Sequence, residues 1–458
     1  MSGRKLFGTD GIRGIANEEL TPELALKTGK AAVRFLIKDN EHKKCKILIG
    51  KDSRPSGDFL EASIAAGILS NGADVYMAGI LSTPAIAMLT KILEMDGGIV
   101  ISASHNPLKD NGIKIFKKGG EKLSDEQEKL IEDFILDNDT KNETADKNII
   151  KKIPIGLEVG RIRNLDDSIN IYTEHIVKNF SFSLNKLKIA VDCANGAMSI
   201  IVPKVLKMLG ADVISYNTDF ESGLINNNCG STHPEVLKNI VLQSRADIGF
   251  SYDGDGDRVI GCDNKGRIFD GDVIMAFCAI NMKNENILKN NLVIATIMAN
   301  YGFEKAMQEN NIKVYKTNVG DRYVLGKMIE TDSVLGGEQS GHIIFKNLSH
   351  IGDGLVSTLI FLEYINKTQI KINEIYDIIE HYPQLLKNLK VKNKNEVMQS
   401  NKLKQKISEA QNKLIGEGKV VVRSSGTEPL IRVMVEAKTL ELATEIQEEI
   451  CNFIYDLK

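Results

Sequence analysis

KILIGKDSRPSG at 46–57, leading on to ADVYMAG at 73–79, decides the fold. A short apolar run passes into small and polar residues, then a helix-like stretch, then a second apolar run. The same order returns twice, from KIAVDCANGA (188–197) to ADVISYN (211–217) and from LVIATIMANYG (292–302) to IKVYKTN (312–318). β-rich apolar runs alternating with helical patterns predict βαβ units and largely buried sheets. Repetition on this scale predicts three related α/β domains, not a short-repeat solenoid.

Working outward, the polar stretch DNDTKNETADKNIIKK (137–152) reads as a surface loop or linker. A second junction is expected beside DGDGDR (253–258), because a new strand-like segment follows it. Beyond residue 367 a helical stretch precedes KVVVRSSGTEPLIRVMVEAK (419–438), two strands around a loop, and ELATEIQEEICNFIYDLK (441–458) closes the chain as an amphipathic helix. The fold class expected is α/β: three related α/β domains with mixed sheets, plus a smaller C-terminal α+β domain, around a central cleft. Boundaries are expected at 1–153, 154–254, 255–368 and 374–458.

Bulk properties agree. A chain of 458 residues is too long for one compact core. It is 42% hydrophobic and 26% charged, as globular proteins are. A net charge of -3 gives no electrostatic case for nucleic acid or an anionic membrane. The six cysteines are scattered without CxxC pairing, which argues for reduced thiols in a cytosol and against a zinc site. MSGRKLFGTDGIRG lacks the apolar run of a signal peptide, and no stretch reaches the ~18 apolar residues of a membrane span. A cytoplasmic location is expected.

Four constellations carry chemistry. In ISASHNP (101–107) an apolar strand runs into a loop with Ser102, Ser104 and His105. Loops at the carboxyl ends of strands are where open α/β sheets place ligands, and a serine there is a candidate nucleophile or phosphate carrier. The alternative is an Asn-Pro turn. In DGDGDR, glycines let Asp253, Asp255 and Asp257 turn toward one point. Clustered carboxylates repel unless a hard cation neutralises them, and oxygen ligands favour Mg²⁺ or Ca²⁺. An EF-hand needs Glu at loop position twelve, where Asn264 stands. GGEQSGH (336–342) offers polar side chains for sugar hydroxyls, although Gly-rich polar loops are also common turns. In RSSGTEPLIRV (423–433), Arg423 and the hydroxyls and N–H groups of 424–427 suggest a phosphate nest without the Walker pattern. The alternative there is a hairpin loop. Together they supply a phosphoryl carrier, a cation site, hydroxyl readers and an anion clamp, on four successive predicted domains.

In these motifs and their order the sequence resembles the α-D-phosphohexomutase superfamily, from FGTDGIRG (7–14) to RSSGTEPLIRV. FGTDGIRG, GEQSGH, VGDRYV (319–324) and IGDG (351–354) are most similar to the members that interconvert glucosamine 6-phosphate and glucosamine 1-phosphate, feeding UDP-N-acetylglucosamine synthesis. The resemblance implies a phosphoserine at Ser104 with His105 beside it, and Mg²⁺, one per chain, on Asp253, Asp255 and Asp257 with the Ser104 phosphate completing the site. It implies Arg258 and Arg13 near that centre, Lys114 as a general acid/base candidate, and His342 close to the sugar. Glu338 and Ser340 would contact sugar hydroxyls. Arg423, Ser424, Ser425, Gly426, Thr427 and Arg432 would hold the non-reacting phosphate. A sugar bisphosphate would serve as intermediate and activator. The expected partner is a small hexosamine phosphate, with no nucleic acid or membrane; a homodimer is compatible with the resemblance. The alternatives are a phosphoglucomutase or phosphomannomutase, a sugar phosphatase, and a non-catalytic sugar-phosphate sensor.

Overall fold

A computed structural model of the chain describes residues 6–8, 10–36, 44–136, 153–424 and 430–456. The expected linker at 137–152 lies outside these residues. The first unit contains β1 (Ile12–Ile15), α1 (Pro22–Leu36), β2 (Lys46–Lys51), α2 (Ser56–Ser70), β3 (Asp74–Ile80), α3 (Thr83–Ile92), β4 (Gly97–Ile101), β5 (Asp110–Lys117), β6 (Glu121–Lys122), α4 (Asp125–Leu136) and β7 (Ile162–Asn164). The second has α5 (Ser168–Lys178), β8 (Lys188–Asp192), α6 (Met198–Met208), β9 (Asp212–Tyr216), α7 (Pro234–Ser244), β10 (Ile248–Tyr252), β11 (Val259–Asp263) and β12 (Ile268–Phe269). The third has α8 (Gly271–Asn284), β13 (Leu292–Thr296), α9 (Tyr301–Glu309), β14 (Lys313–Thr317), α10 (Asp321–Glu330), β15 (Leu335–Gly337), β16 (Ile343–Phe345) and α11 (Gly354–Thr368). After α12 (Ile372–Ile375) comes a C-terminal unit of β17 (Gln384–Lys390), α13 (Lys394–Gln399), α14 (Asn401–Lys413), β18 (Gly418–Ser424), β19 (Leu430–Ala437) and α15 (Leu440–Asp456).

The repeated sequence rhythm becomes a repeated topology. In each α/β unit a strand pairs in parallel with the next, and a third parallel strand returns to the first strand's other side. The chain then folds back antiparallel: β4 onto β5, β10 onto β11, β15 onto β16. The loops of those three hairpins are the ISASHNP, DGDGDR and EQSGH loops. The fourth motif joins the antiparallel strands β18 and β19. All four constellations thus connect antiparallel strands, three of them topologically equivalent.

The central strands are buried on both faces, as KILIGK and GGIVI predict by their lack of alternation. Helices on one side of the three sheets merge into one hydrophobic core running from Leu48 and Ile86 through Val191 and Phe250 to Phe303 and Phe361. The C-terminal sheet, ordered β17-β19-β18, has its own core against α15.

Two boundary details differ from the sequence reading. The expected break between 254 and 255 falls inside a hairpin, because β11 and β12 continue the second sheet to Phe269. Residues 162–164 pair with β3 and extend the first sheet past 153. Each is an edge addition, set by partners distant in sequence. Among the described residues no helix is long and apolar enough to cross a membrane.

Candidate active site

β4 delivers the chain, fully buried, into the serine loop. Ser104 is 1% exposed and adopts a left-handed φ of 54°, a conformation that an L-residue keeps only when its surroundings enforce it. Its Oγ donates to Asp253 Oδ2 at 2.6 Å, joining residues 149 positions apart, and lies 3.2 Å from His105 Nδ1. Burial, with the charges of Arg258 and Arg13, pushes the His105 imidazole down to about 4, so it is neutral at neutral pH.

Asp253, Asp255 and Asp257 follow β10, with carboxylate oxygens within 4.8 Å of one another. Gly256 makes the convergence possible: its φ is 72°, and a Cβ would meet Met198 at 2.4 Å. Burial and the charges of Asp257 and Asp255 push Asp253 well above the usual carboxylate range. Asp255 Oδ1 and Asp257 Oδ1 are buried without a hydrogen-bond partner. Orphaned oxygens on three converging carboxylates fit a hard cation. The triad can hold a metal ion.

Cations ring the triad. Lys114 Nζ, on β5, lies 2.8 Å from Asp255 Oδ2, 2.9 Å from Asp10 Oδ2 and 3.6 Å from Asp257 Oδ2. Burial would lower its pKa, but those carboxylates outweigh it and hold the ammonium well above its ordinary range. Thr83 Oγ1 donates to Asp255 Oδ2 at 2.5 Å. The Arg258 N–H donates to Asp253 Oδ1 at 3.1 Å, and its Nε is 3.9 Å from Asp257 Oδ1. Arg13 pairs with Asp10 at 2.9 Å and reaches Asn106 Oδ1 at 3.5 Å.

His342 closes the EQSGH loop with Nδ1 3.7 Å from Asp257 Oδ2. Burial lowers its pKa and the Asp257 and Asp321 carboxylates raise it, with a net upward direction. The Gly352 N–H at 3.2 Å from Nε2 opposes a second ring proton. In a neutral ring that contact would leave the proton on Nδ1, on the side of Asp257. Glu338 Oε1 accepts from the Gly320 N–H at 3.0 Å, while Ser340 is exposed at the loop tip. Glu338 also lies within electrostatic reach of both Arg258 and Arg423. In the C-terminal unit Arg423 sits directly opposite Arg432 across β18 and β19. Burial and the Arg432 charge lower Arg423 from its usual range. Like charges in register destabilise a ladder and suit an anion placed over both. Ser424 ends β18; Ser425, Gly426 and Thr427 lie outside the described residues.

Family models for phosphoglucomutase/phosphomannomutase match all four units: α/β/α domain I at 4–142, domain II at 170–266, domain III at 270–382 and the C-terminal domain at 386–453. A phosphoglucosamine mutase of Desulforamulus reducens is 44% identical over 450 residues, 98% of this chain and 99% of that one. One from Alkaliphilus oremlandii is 47% identical over 448 residues, 96% and 98% of the two chains. The chain belongs to the phosphoglucosamine mutases of the phosphohexomutase superfamily. A solved structure of a phosphoglucomutase/phosphomannomutase family protein from Burkholderia thailandensis shares the fold, with a TM-score of 0.80 at 23% identity over 98% of this chain and 97% of that one.

The same cluster brings in residues to which the sequence reading gave no role. Asp10 joins Arg13, Lys114 and Lys122, and Lys122 also pairs with Asp321 of VGDRYV. Arg322 of the same motif reaches Glu128 on α4 at 3.0 Å, tying the third unit to the first. Asp52, Arg54 and Asn226 contact the serine loop from below. The motif strings containing Asp10 and Asp321 were visible; their pairing needed the fold.

Proposed function

We propose that this chain interconverts glucosamine 6-phosphate and glucosamine 1-phosphate through a phosphoserine at Ser104 and a bisphosphate intermediate, in the cytoplasm. The observation that carries it is the Ser104 Oγ buried against an acidic triad from a second unit, 2.6 Å from Asp253. In each half-reaction one P–O bond breaks and one forms between Ser104 Oγ and a sugar oxygen. In the first half-reaction the proton leaving the sugar hydroxyl ends on Ser104 Oγ; in the second the Ser104 proton ends on the sugar oxygen that loses its phosphoryl group, with Lys114 the candidate carrier in both. Asp253, Asp255, Asp257 and the Ser104 phosphate would hold Mg²⁺, which when bound neutralises phosphoryl charge. Arg13, His105, Arg258 and His342 shape the same centre. Glu338 and Ser340 would hold the 3- and 4-hydroxyls, which lie near the pivot as the sugar reverses end for end. Arg423 and Arg432, with 424–427, would grip the non-reacting phosphate in either orientation.

A sugar phosphatase would deliver the phosphoryl group to water, so its main product would be free phosphate. A sensor needs no buried nucleophile. The test has two parts. Intact-mass and peptide measurements before and after phosphatase treatment should place one phosphate on the Ser104 peptide. In competition between primed substrates, glucosamine phosphate should exceed glucose and mannose phosphates by about tenfold to a hundredfold in kcat/KM, the worth of one hydrogen bond to an ammonium. Equal or better use of glucose 1-phosphate would refute the substrate assignment; free phosphate as the main product would refute the mutase.

A further inference from the structure

We infer that Asp52 and Arg54, in the turn after β2, are positioning residues for phosphoryl transfer that lock the Ser104 loop in register with the acidic triad. The inference rests on the reading of Ser104 as the phosphoryl carrier. A buried arginine beside a phosphate site invites assignment as an anion receptor. Here the donor count excludes it. Arg54 has a fully buried side chain. Its Nε donates to Asp52 Oδ2 at 3.0 Å, Nη1 to the carbonyls of Pro107 at 2.6 Å and Asp110 at 3.0 Å, and Nη2 to those of Ser104 at 3.0 Å and Asn106 at 2.7 Å. Guanidinium has five N–H donors, and all five are committed. None is left for a phosphate or a sugar.

A second arm comes from Asp52. Its Oδ2 accepts from Ser102 Oγ at 2.6 Å, and that hydroxyl accepts from the Ser104 N–H at 2.9 Å. From the second unit, Asn226 Nδ2 donates to the Ser104 carbonyl at 2.8 Å. The N–H and the C=O of Ser104 are therefore both pinned, which fixes its left-handed backbone and aims Oγ at Asp253. A serine that gives up and regains a phosphoryl group in every cycle must return to one place. A misplacement of about 1 Å reduces such rates ~100-fold. A carboxylate and a planar fork two residues apart in the loop after β2 achieve this without touching the substrate.

Arg54→Lys keeps the charge facing Asp52, but an ammonium has three donors and no planar fork, so it cannot span four carbonyls. The experiment measures single-turnover transfer from pre-phosphorylated enzyme to glucosamine 6-phosphate, normalised to phosphoserine content by intact mass, beside steady-state KM and a Mg²⁺ titration. In Arg54→Lys the transfer rate should fall at least ~30-fold, with KM within about threefold and saturating Mg²⁺ failing to restore it. Ser102→Ala, which cuts only the Asp52 arm, should lose roughly tenfold by the same measure. Wild-type enzyme without phosphate on Ser104 would defeat the underlying reading. Phosphorylated wild type with an Arg54→Lys rate within about threefold, or a loss appearing in KM alone, would overturn this inference. Should Arg54→Lys not fold, Ser102→Ala decides: a wild-type rate overturns the inference, and a slowed rate with unaltered unfolding supports it.

Discussion

Replacing Ser104 separates its two properties, a reactive hydroxyl and a left-handed backbone. Ser104→Ala and Ser104→Gly both remove Oγ and the 2.6 Å bond to Asp253, so both should lose the mutase reaction. They differ in the backbone alone. At φ 54° an alanine Cβ crowds the following carbonyl at ~1–2 kcal/mol, a strain glycine does not carry. Glycine gives back about 0.4–1 kcal/mol through the greater freedom of its unfolded chain. The glycine variant should therefore be the more stable, by roughly 0.5–1 kcal/mol. Loss of the hydroxyl itself should affect both variants equally, because Ser104 is small and the loop is held elsewhere by Arg54. The assays are coupled turnover with bisphosphate present and urea unfolding of the two variants side by side. Activity within a few fold of wild type in either variant would refute Ser104 as carrier. An alanine variant more stable than the glycine variant would refute the claim that the surroundings force this backbone.

Asp255→Asn removes a carboxylate whose Oδ1 has no partner and whose Oδ2 holds Lys114 and Thr83; turnover should drop at least ~100-fold and the Mg²⁺ titration should move to higher concentration. An unchanged magnesium dependence would count against the site. Asp353, which caps α11 and accepts from Tyr172 at 3.0 Å, is pushed by burial from 3.8 to about 6. The folded state binds this proton more tightly than the unfolded state, so stability is complete below about pH 4 and declines as pH rises through 6. Asp353→Asn keeps the cap and removes the buried charge. It should be the more stable protein at pH 8, by up to roughly 3 kcal/mol, with the gap closing toward pH 4 in unfolding curves.

Much of the site was legible because its chemistry is local in sequence. DGDGDR places three carboxylates and the glycine that turns them within six residues. ISASHNP joins a buried strand to a polar loop. The apolar runs of β2, β8 and β13 announced three buried parallel strands, since a strand covered on both faces carries no alternation. Other features were not local. β17 pairs along its whole length with the central strand β19, yet QLLKNLK has mostly half-buried or exposed side chains and gave no strand signal. The edge strand β7 is three exposed residues defined by its partner β3. Nothing in DSR marked Arg54 as an anchor, because its acceptors are backbone carbonyls about fifty residues away.

By itself the sequence determined the α/β class, the repetition and the four chemical loops, because hydrophobic period and loop composition are properties of short segments. Only the tertiary structure decided that three of those loops are equivalent hairpins, that Ser104 meets Asp253, and that Asp10, Lys114 and Asp255 share one charge network. Those facts depend on how sheets share a core and on charges compensated across units, and neither is written in any one stretch of chain.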